Sequence, residues 1–126
     1  MLTDQVTAQD HSNCIEDVKR YIRDHIHEPL DRERLAAIAG FSIPHFHRVF
    51  RAQTGESAIN YVRRMRMKRA GYKLRMGAVD ITEVAMAAGY DSHAAFSKAF
   101  KQQFGLSPSE FRQLGCLAAT QLLRKG

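Results

Sequence analysis

A pattern of glycine, serine, phenylalanine and basic residues occurs twice in this chain, about fifty residues apart. The first copy covers residues 40–57 and the second covers residues 89–107, which contains one extra residue, Asp91. The matched positions are Ser42, Phe46, Arg48, Phe50, Arg51, Gln53, Gly55 and Ser57 in the first copy, and Ser92, Phe96, Lys98, Phe100, Lys101, Gln103, Gly105 and Ser107 in the second. So many matches of the same chemistry predict two copies of one structural unit.

Each copy reads as two helices joined by a short turn. Gly40 and Gly89 follow small apolar residues and suit the left-handed cap that ends a helix. Ser42 and Ser92 come next, where a serine side chain caps the start of a second helix. Pro44 falls in the first turn of that helix, where its missing N–H costs nothing. The duplicated unit is therefore a helix, a tight glycine turn, a second helix and the beginning of a third.

Signals of helix start and stop extend this pattern to an all-α chain of seven helices. Residues 1–12 are expected to be a flexible tail, and Asn13 with Glu16 forms a capping box that would open the first helix. We expect a domain over residues 13–115, made of a first unit (13–56), a long connecting helix (57–77) and a second unit (78–115). Residues 116–126 are expected to be a C-terminal tail or the start of a linker.

Composition indicates a globular protein with a polyanionic partner. The 126 residues suffice for one domain or two very small ones, with 19 Lys and Arg against 13 Asp and Glu and a net charge of +6. DNA fits this charge, and so does an anionic membrane surface. The sequence has neither a long apolar run nor the start of a signal peptide, so we expect a soluble cytoplasmic protein that does not enter a membrane.

The second helix of each unit separates a core side from a basic side. At 100° per residue, Phe46 and Phe50 fall on one side, and Pro44, Arg48 and Arg51 fall opposite, with His47 on the shoulder. The later copy repeats this arrangement, with Phe96 and Phe100 inward, Ala94, Lys98 and Lys101 outward, and Ser97 on the shoulder. A helix of this kind after a tight turn is typical of a helix-turn-helix DNA reader, since arginine can donate two hydrogen bonds to guanine in the major groove.

The distance between the two readers sharpens this prediction. Residues 57–76 would form a helix of about 30 Å, close to the roughly 34 Å between successive turns of one groove. One monomer could then contact two successive major-groove segments of an asymmetric site. Arg64, Lys68 and Arg75 form a basic outer face on this helix, for phosphate contact or for simple solvation. Arg66 points inward and needs a buried partner, and Gly71 suggests a close-packing point.

These residues resemble the DNA-binding domain of the AraC/XylS transcription regulators. The resemblance rests on residues 38–42 with Phe46, Arg48, Phe50 and Gly55, and on residues 88–90 with Phe96, Phe100, Gly105, Ser107, Pro108 and Phe111. It implies two helix-turn-helix units joined by a long helix, acting as an activator or sometimes a repressor at promoter DNA, with RNA polymerase as a further candidate partner.

The compact MarA-like branch of that family implies which positions contact bases. They match Pro44, His47 and Arg48 in the first unit, and His93, Ala94, Ala95, Ser97 and Lys98 in the second. Ser42, Arg51, Ser92 and Lys101 complete the expected DNA-binding set. Lys98 stands where arginine is frequent and offers a point charge in place of a bidentate fork, while the two alanines offer only apolar contact. We therefore expect more base discrimination from the first unit.

Other classes of function find little support. No arrangement of residues resembles a catalytic centre, so we expect neither an enzyme nor a cofactor. His45 and His47, like His25 and His27, are two residues apart and point away from each other on a helix, which argues against a metal site. Cys14 and Cys116 fit no disulfide framework.

A basic helical module that docks an acidic protein partner is the principal alternative. Such a module should show no base preference, whereas a DNA reader should retain its preference as salt rises. The short tails leave no room for an inducer pocket, so we expect control through abundance or a protein partner if the chain is complete.

Overall fold

The computed structural model describes residues 8–77 and 80–125, and these form helices connected by turns. The eight helices in this part of the chain are α1 (Ala8–Asp24), α2 (Arg32–Ala39), α3 (Ile43–Thr54), α4 (Ala58–Arg75), α5 (Ile81–Ala87), α6 (His93–Phe104), α7 (Pro108–Arg112) and α8 (Cys116–Lys125). The chain divides into two compact units, residues 1–62 and residues 63–126. Helix α4 contributes its first residues to one unit and the remainder to the other.

The first unit is built on three helices that pack against one another in pairs, α1, α2 and α3. Their apolar stripes meet in one core, which the first turn of α4 completes. Its buried residues are Ile15, Val18, Ile22, Ile26, Leu30, Leu35, Ala36, Phe46, Val49, Phe50, Ala58, Tyr61 and Val62. The phenylalanines of α3 are fully buried, so burial of this face fixes the rotation of α3 and leaves its opposite face in solvent.

The second unit has a core of its own, in which α6 packs against α5 and α7. The core residues are Met67, Ala70, Leu74, Val84, Ala85, Ala88, Phe96, Phe100, Phe104, Phe111, Ala119 and Leu123. Phe100 lies at the centre of an aromatic cluster, with ring centroids 4.6 Å from Phe104 and 5.3 Å from Phe111. These contacts fix the rotation of α6 about its axis, as the contacts in the first core fix the rotation of α3.

Both helix-turn-helix turns use the same hydrogen bonds. In the first, the Phe41 N–H donates to Ala36 O (3.0 Å), and Gly40 takes a φ of 78°. In the second, the Tyr90 N–H donates to Ala85 O (3.0 Å), and Gly89 takes a φ of 94°. A residue with a side chain is strained at such positive φ values, so each turn requires glycine.

Helix α4 has 18 residues, which corresponds to a length of about 27 Å. Gly77 follows it at a φ of 92°, the left-handed conformation in which glycine often ends a helix. Within the second unit, Arg66 is half-buried, and a Cβ on Gly89 would lie 3.8 Å from its Nη1. Arg66 therefore extends toward the turn between α5 and α6, which accounts for its inward position.

The all-helical class and the two helix-turn-helix units are confirmed, and two details of the sequence prediction are corrected. Eight helices are present in residues 8–77 and 80–125, one more than expected, because residues 116–125 form α8. Helix α1 begins at Ala8 and Asn13 lies inside it, so the predicted capping box does not open the helix. Of the tail expected over residues 1–12, residues 1–7 lie outside the described part of the chain.

None of the helices in the described residues is long and apolar enough to cross a membrane.

Candidate nucleic-acid interface

The outer face of α3 carries the residues predicted to read DNA in the first unit. Ser42, Pro44, Arg48 and Arg51 are exposed, whereas Phe46, Val49 and Phe50 face the core. The structure therefore gathers the exposed predicted residues on one accessible surface, which begins at the N-terminus of α3 and follows its first three turns. We call this surface the α3 reader.

His47 is the exception among the predicted residues of α3. It is half-buried, and its Nε2 atom is enclosed without a hydrogen-bond partner in the described part of the chain. The His47 ring lies 6.1 Å from the Phe46 ring, centroid to centroid. A buried polar atom without a partner is costly, so rotation of this side chain toward a polar ligand would relieve an existing cost.

Helix α6 presents an equivalent surface in the second unit, which we call the α6 reader. Ser92, His93, Ala94, Ala95, Lys98 and Lys101 are exposed, and Ser97 is half-buried. Phe96, Phe100 and Phe104 face the core. The exposed surface is less varied than that of α3, because its second and third helical positions are both alanine.

Serine side chains cap both reader helices. The Ser42 Oγ accepts a hydrogen bond from the His45 N–H (3.3 Å), and the Ser92 Oγ accepts one from the Ala95 N–H (3.1 Å). Each hydroxyl acts as an acceptor toward its own helix and retains a proton to donate. Both serines are exposed, so the same side chain can cap its helix and donate to a phosphate oxygen.

Sequence reasoning missed an aromatic cluster at the start of the α3 reader. The His11 ring on α1 lies 5.8 Å from the rings of both Phe41 and His45, and Phe41 and His45 are 4.6 Å apart, centroid to centroid. This cluster joins α1 to the turn and to the first turn of α3. A histidine in the polar N-terminal segment offers no periodic signal, so only the tertiary contact reveals it.

The α6 reader is also linked to α4 within the second unit. The Gln103 side chain on α6 donates from Nε2 to the Arg64 carbonyl oxygen, at 3.3 Å. Burial lowers the pKa of Lys68, with a smaller contribution from the positive charge of Arg64. The seven Lys and Arg residues that α4 carries within residues 63–75 add positive charge to this unit.

Residues 8–77 and 80–125 contain no group of three or more His, Cys, Asp or Glu side chains that could hold a metal ion. The exposed faces of α3 and α6 offer hydrogen-bonding and positively charged side chains, the means by which proteins contact bases and phosphates.

Comparison with known proteins agrees with this geometry. Residues 35–114 match a family model described as a helix-turn-helix domain. The chain is 34% identical over 102 residues to the regulatory protein SoxS of Escherichia coli K12, with 81% of this chain and 95% of SoxS covered.

A second relative and a solved structure are also similar to this chain. The chain is 33% identical over 104 residues to the right origin-binding protein of Escherichia coli K12, covering 82% of this chain but 36% of that protein, so it spans about a third of this relative's length. A transcriptional regulator of Chromobacterium violaceum, described as an AraC-type DNA-binding domain-containing protein, superimposes with a TM-score of 0.76 at 25% identity, covering 82% of this chain and 96% of that structure. The chain therefore belongs to the AraC/XylS family of DNA-binding transcription regulators, in the compact MarA-like branch.

Proposed function

We propose that this regulator binds an asymmetric promoter site as a monomer, with the α3 and α6 readers each entering one of two successive major-groove segments. One observation carries the proposal. Helices α3 and α6 expose basic side chains at matching positions, Arg48 and Arg51 on α3 and Lys98 and Lys101 on α6. Each helix begins at a serine cap and is anchored in its core by a pair of phenylalanines. Two readers in one chain need no symmetric partner, so the site need not be palindromic.

The length of α4 supports this arrangement. Its 18 residues give about 27 Å, which approaches the roughly 34 Å between successive turns of one groove. Modest curvature of the DNA would reduce the span that the chain has to reach. The expected site is therefore about two helical turns long.

The two readers should differ in how strongly they discriminate between DNA bases. Arg48 can donate two parallel hydrogen bonds to guanine O6 and N7, which is worth about 1–3 kcal/mol against a wrong base. Lys98 can contact a base only as a point charge. Ala94 and Ala95 can contact thymine methyl groups but donate no side-chain hydrogen bond. We assign the larger share of base discrimination to the α3 reader.

The remaining exposed positions suit phosphate contact. Arg51 and Lys101 lie in the last turns of their helices, beyond the N-terminal residues that face the bases in helix-turn-helix proteins. Ser42 and Ser92 can each donate a hydroxyl proton to a phosphate. These contacts would fix the register of each reader without carrying sequence information.

We further propose that binding activates transcription through contact with RNA polymerase. In vitro transcription from a promoter that carries the selected site tests this directly. Activation predicts more transcript when the protein is added, and a decrease would assign repression.

Selection of bound duplexes from a random pool is the decisive experiment for the site. We expect an asymmetric motif with two conserved blocks whose centres lie about 10 base pairs apart. The Arg48→Ala variant should lose conservation in one block and keep the other. A palindromic motif, or a single short block, would contradict the proposal.

A further inference from the structure

Positive charge is divided very unevenly between the two units. The second unit, residues 63–126, holds twelve of the nineteen Lys and Arg residues and four of the thirteen Asp and Glu residues, which gives a formal charge of +8. The first unit has seven basic and nine acidic residues, a formal charge of −2. The excess charge of the chain therefore lies entirely in the second unit, although both units carry a reader.

Seven of those twelve cations lie on α4, within residues 63–75, and no acidic residue occurs between Glu56 and Asp80. On α1 of the first unit, by contrast, Lys19 lies 3.2 Å from Glu16 and Arg20 lies 3.4 Å from Asp17. In residues 63–77 and 80–125, no carboxylate lies within 4 Å of the charged groups of Lys68, Arg69 or Lys73. Like charges in neighbouring turns of a helix destabilise it slightly.

These three cations lie on one side of α4. At 100° per residue, Lys68, Arg69, Tyr72 and Lys73 occupy an arc opposite Met67, Ala70 and Leu74, which are buried in the second core. We call this arc the α4 outer face; of the basic face expected from the sequence it contains Lys68 but not Arg64 or Arg75. Tyr72 is 41% exposed, and the guanidinium carbon of Arg75 lies 5.4 Å from its ring centroid. Arg64 adds a charge one turn before Lys68.

We propose that the α4 outer face binds the DNA phosphate backbone independently of sequence, and so anchors the chain on DNA through its second unit. This inference rests on the proposed function. In the part of the second unit that the structure describes, this face has three cations without a carboxylate within 4 Å, and a tyrosine hydroxyl. These groups are donors that phosphate oxygens accept. The first unit, with a net negative charge, has no comparable attraction for non-specific DNA. The anchor would supply most of the salt-dependent affinity and leave base discrimination to the two readers.

The test measures DNA affinity against salt concentration for three proteins. These are the wild type, an anchor variant (Lys68→Gln, Arg69→Gln and Lys73→Gln), and a control variant (Arg20→Gln, Arg23→Gln and Arg32→Gln). The control removes the same charge from exposed positions of the first unit. Each protein is measured on the selected site and on a non-specific duplex. Thermal unfolding of both variants checks that they are folded.

We expect the affinity of the anchor variant to depend less steeply on salt. The magnitude of the slope of log affinity against log salt concentration should fall by about two to three, since each phosphate contact contributes about 0.9 to it. The loss should be the same on both duplexes, so the ratio of specific to non-specific affinity is retained. The control should change the slope by less than one. We expect the anchor variant to fold, because the substitutions remove like-charge repulsion within α4. If the triple variant were unfolded, the three single substitutions would be measured in its place.

Three results would overturn the anchor. The first is a salt slope of the anchor variant equal to that of the wild type, and the second is an equal loss of DNA affinity in the anchor and control variants. The third is an anchor variant that binds DNA like the wild type but has lost affinity for poly-glutamate, which would indicate an acidic protein partner. Failure of the proposed function is distinguishable from these results. It would appear as a wild-type protein with no preferred site, and the slopes on the non-specific duplex would still decide the role of the α4 outer face.

Discussion

Leu123 on α8 occupies the space that a methyl group on Gly71 of α4 would need. A Cβ built on Gly71 would overlap Leu123 Cδ2, and it would lie 3.7 Å from Phe111 Cζ. Leu123 is 1% exposed, so it cannot move into solvent without leaving the core. Helix α8 therefore docks on α4 through a notch that only glycine provides, which explains a residue with low helix propensity inside a long helix.

Substituting Gly71 by alanine tests this contact. In an exposed helix the change would stabilise by about 1 kcal/mol, but overpacking a core costs about 1–3 kcal/mol. We expect a net loss of stability in the wild-type background. In a Leu123→Ala background the space is empty, so the same substitution should become stabilising. Denaturant unfolding of the four proteins measures both effects, and stabilisation by Gly71→Ala in both backgrounds would reject the notch.

The start of α7 should contribute stability that depends on pH. The Ser107 N–H donates to Glu110 Oε1 (2.9 Å) and the Glu110 N–H donates to Ser107 Oγ (3.2 Å). The hydrogen bond from the Ser107 backbone lowers the pKa of the Glu110 carboxyl below its usual value of 4.5, and a hydrogen bond with the Ser107 side chain lowers it further by a smaller amount. A lowered pKa favours the folded state above pH 4.5, and this contribution disappears as the pH falls through the folded pKa.

The Glu110→Gln variant isolates this effect. Its stability relative to the wild type should be lower by a constant amount above about pH 5.5, since glutamine can cap but carries no charge. The difference should shrink as the pH approaches 3. Thermal unfolding between pH 3 and 7 gives the comparison, and a difference that grows on acidification would contradict the assignment.

Replacing Arg48 by alanine should weaken binding to the selected site by about 1–3 kcal/mol and relax selectivity at one base position. The reason is the loss of a bidentate contact to guanine. Competition binding against single-base variants of the site measures both quantities. Arg23→Ala, which removes an exposed arginine of α1, is the matched control and should leave selectivity unchanged. If Arg48→Ala bound every variant with the wild-type pattern of preference, the role assigned to Arg48 would be wrong.

Replacing Lys98 by arginine should increase discrimination in the other half of the site. The guanidinium adds a fork that matches guanine O6 and N7, where lysine provides one point charge. Lys101→Arg is the control, because a phosphate contact carries no base preference. Selection with each variant measures conservation position by position. Equal gains in both variants, or no gain in either, would contradict the separate roles of these lysines.

Much of the fold could be predicted from the sequence because its signals are local. Gly40 and Gly105 mark helix ends by their backbone freedom, and Ser42, Ser92 and Ser107 mark helix starts by their caps. The phenylalanine pairs fix which face is buried through helical periodicity alone. The exposed positions of both readers follow from the same periodicity.

The features that were missed depend on contacts between distant residues. Helix α1 starts at Ala8, before the expected cap, where His11 packs against Phe41 and His45. Helix α8 depends on the notch at Gly71, about fifty residues away in sequence. The enclosure of His47 Nε2 likewise depends on how its side chain rotates against its neighbours. Neither a cap signal nor a periodic stripe encodes such contacts.

Hydroxyl-radical footprinting of the wild-type protein on its selected site tests the central claim most directly, namely that one chain carries two working readers. We predict two protected windows on the same face of the duplex, about one helical turn apart, at a protein to DNA ratio of one to one. Lys98→Ala combined with Lys101→Ala should weaken protection in one window first, and Arg48→Ala combined with Arg51→Ala should do so in the other. A single protected window, or two windows that require two protein molecules, would contradict the account.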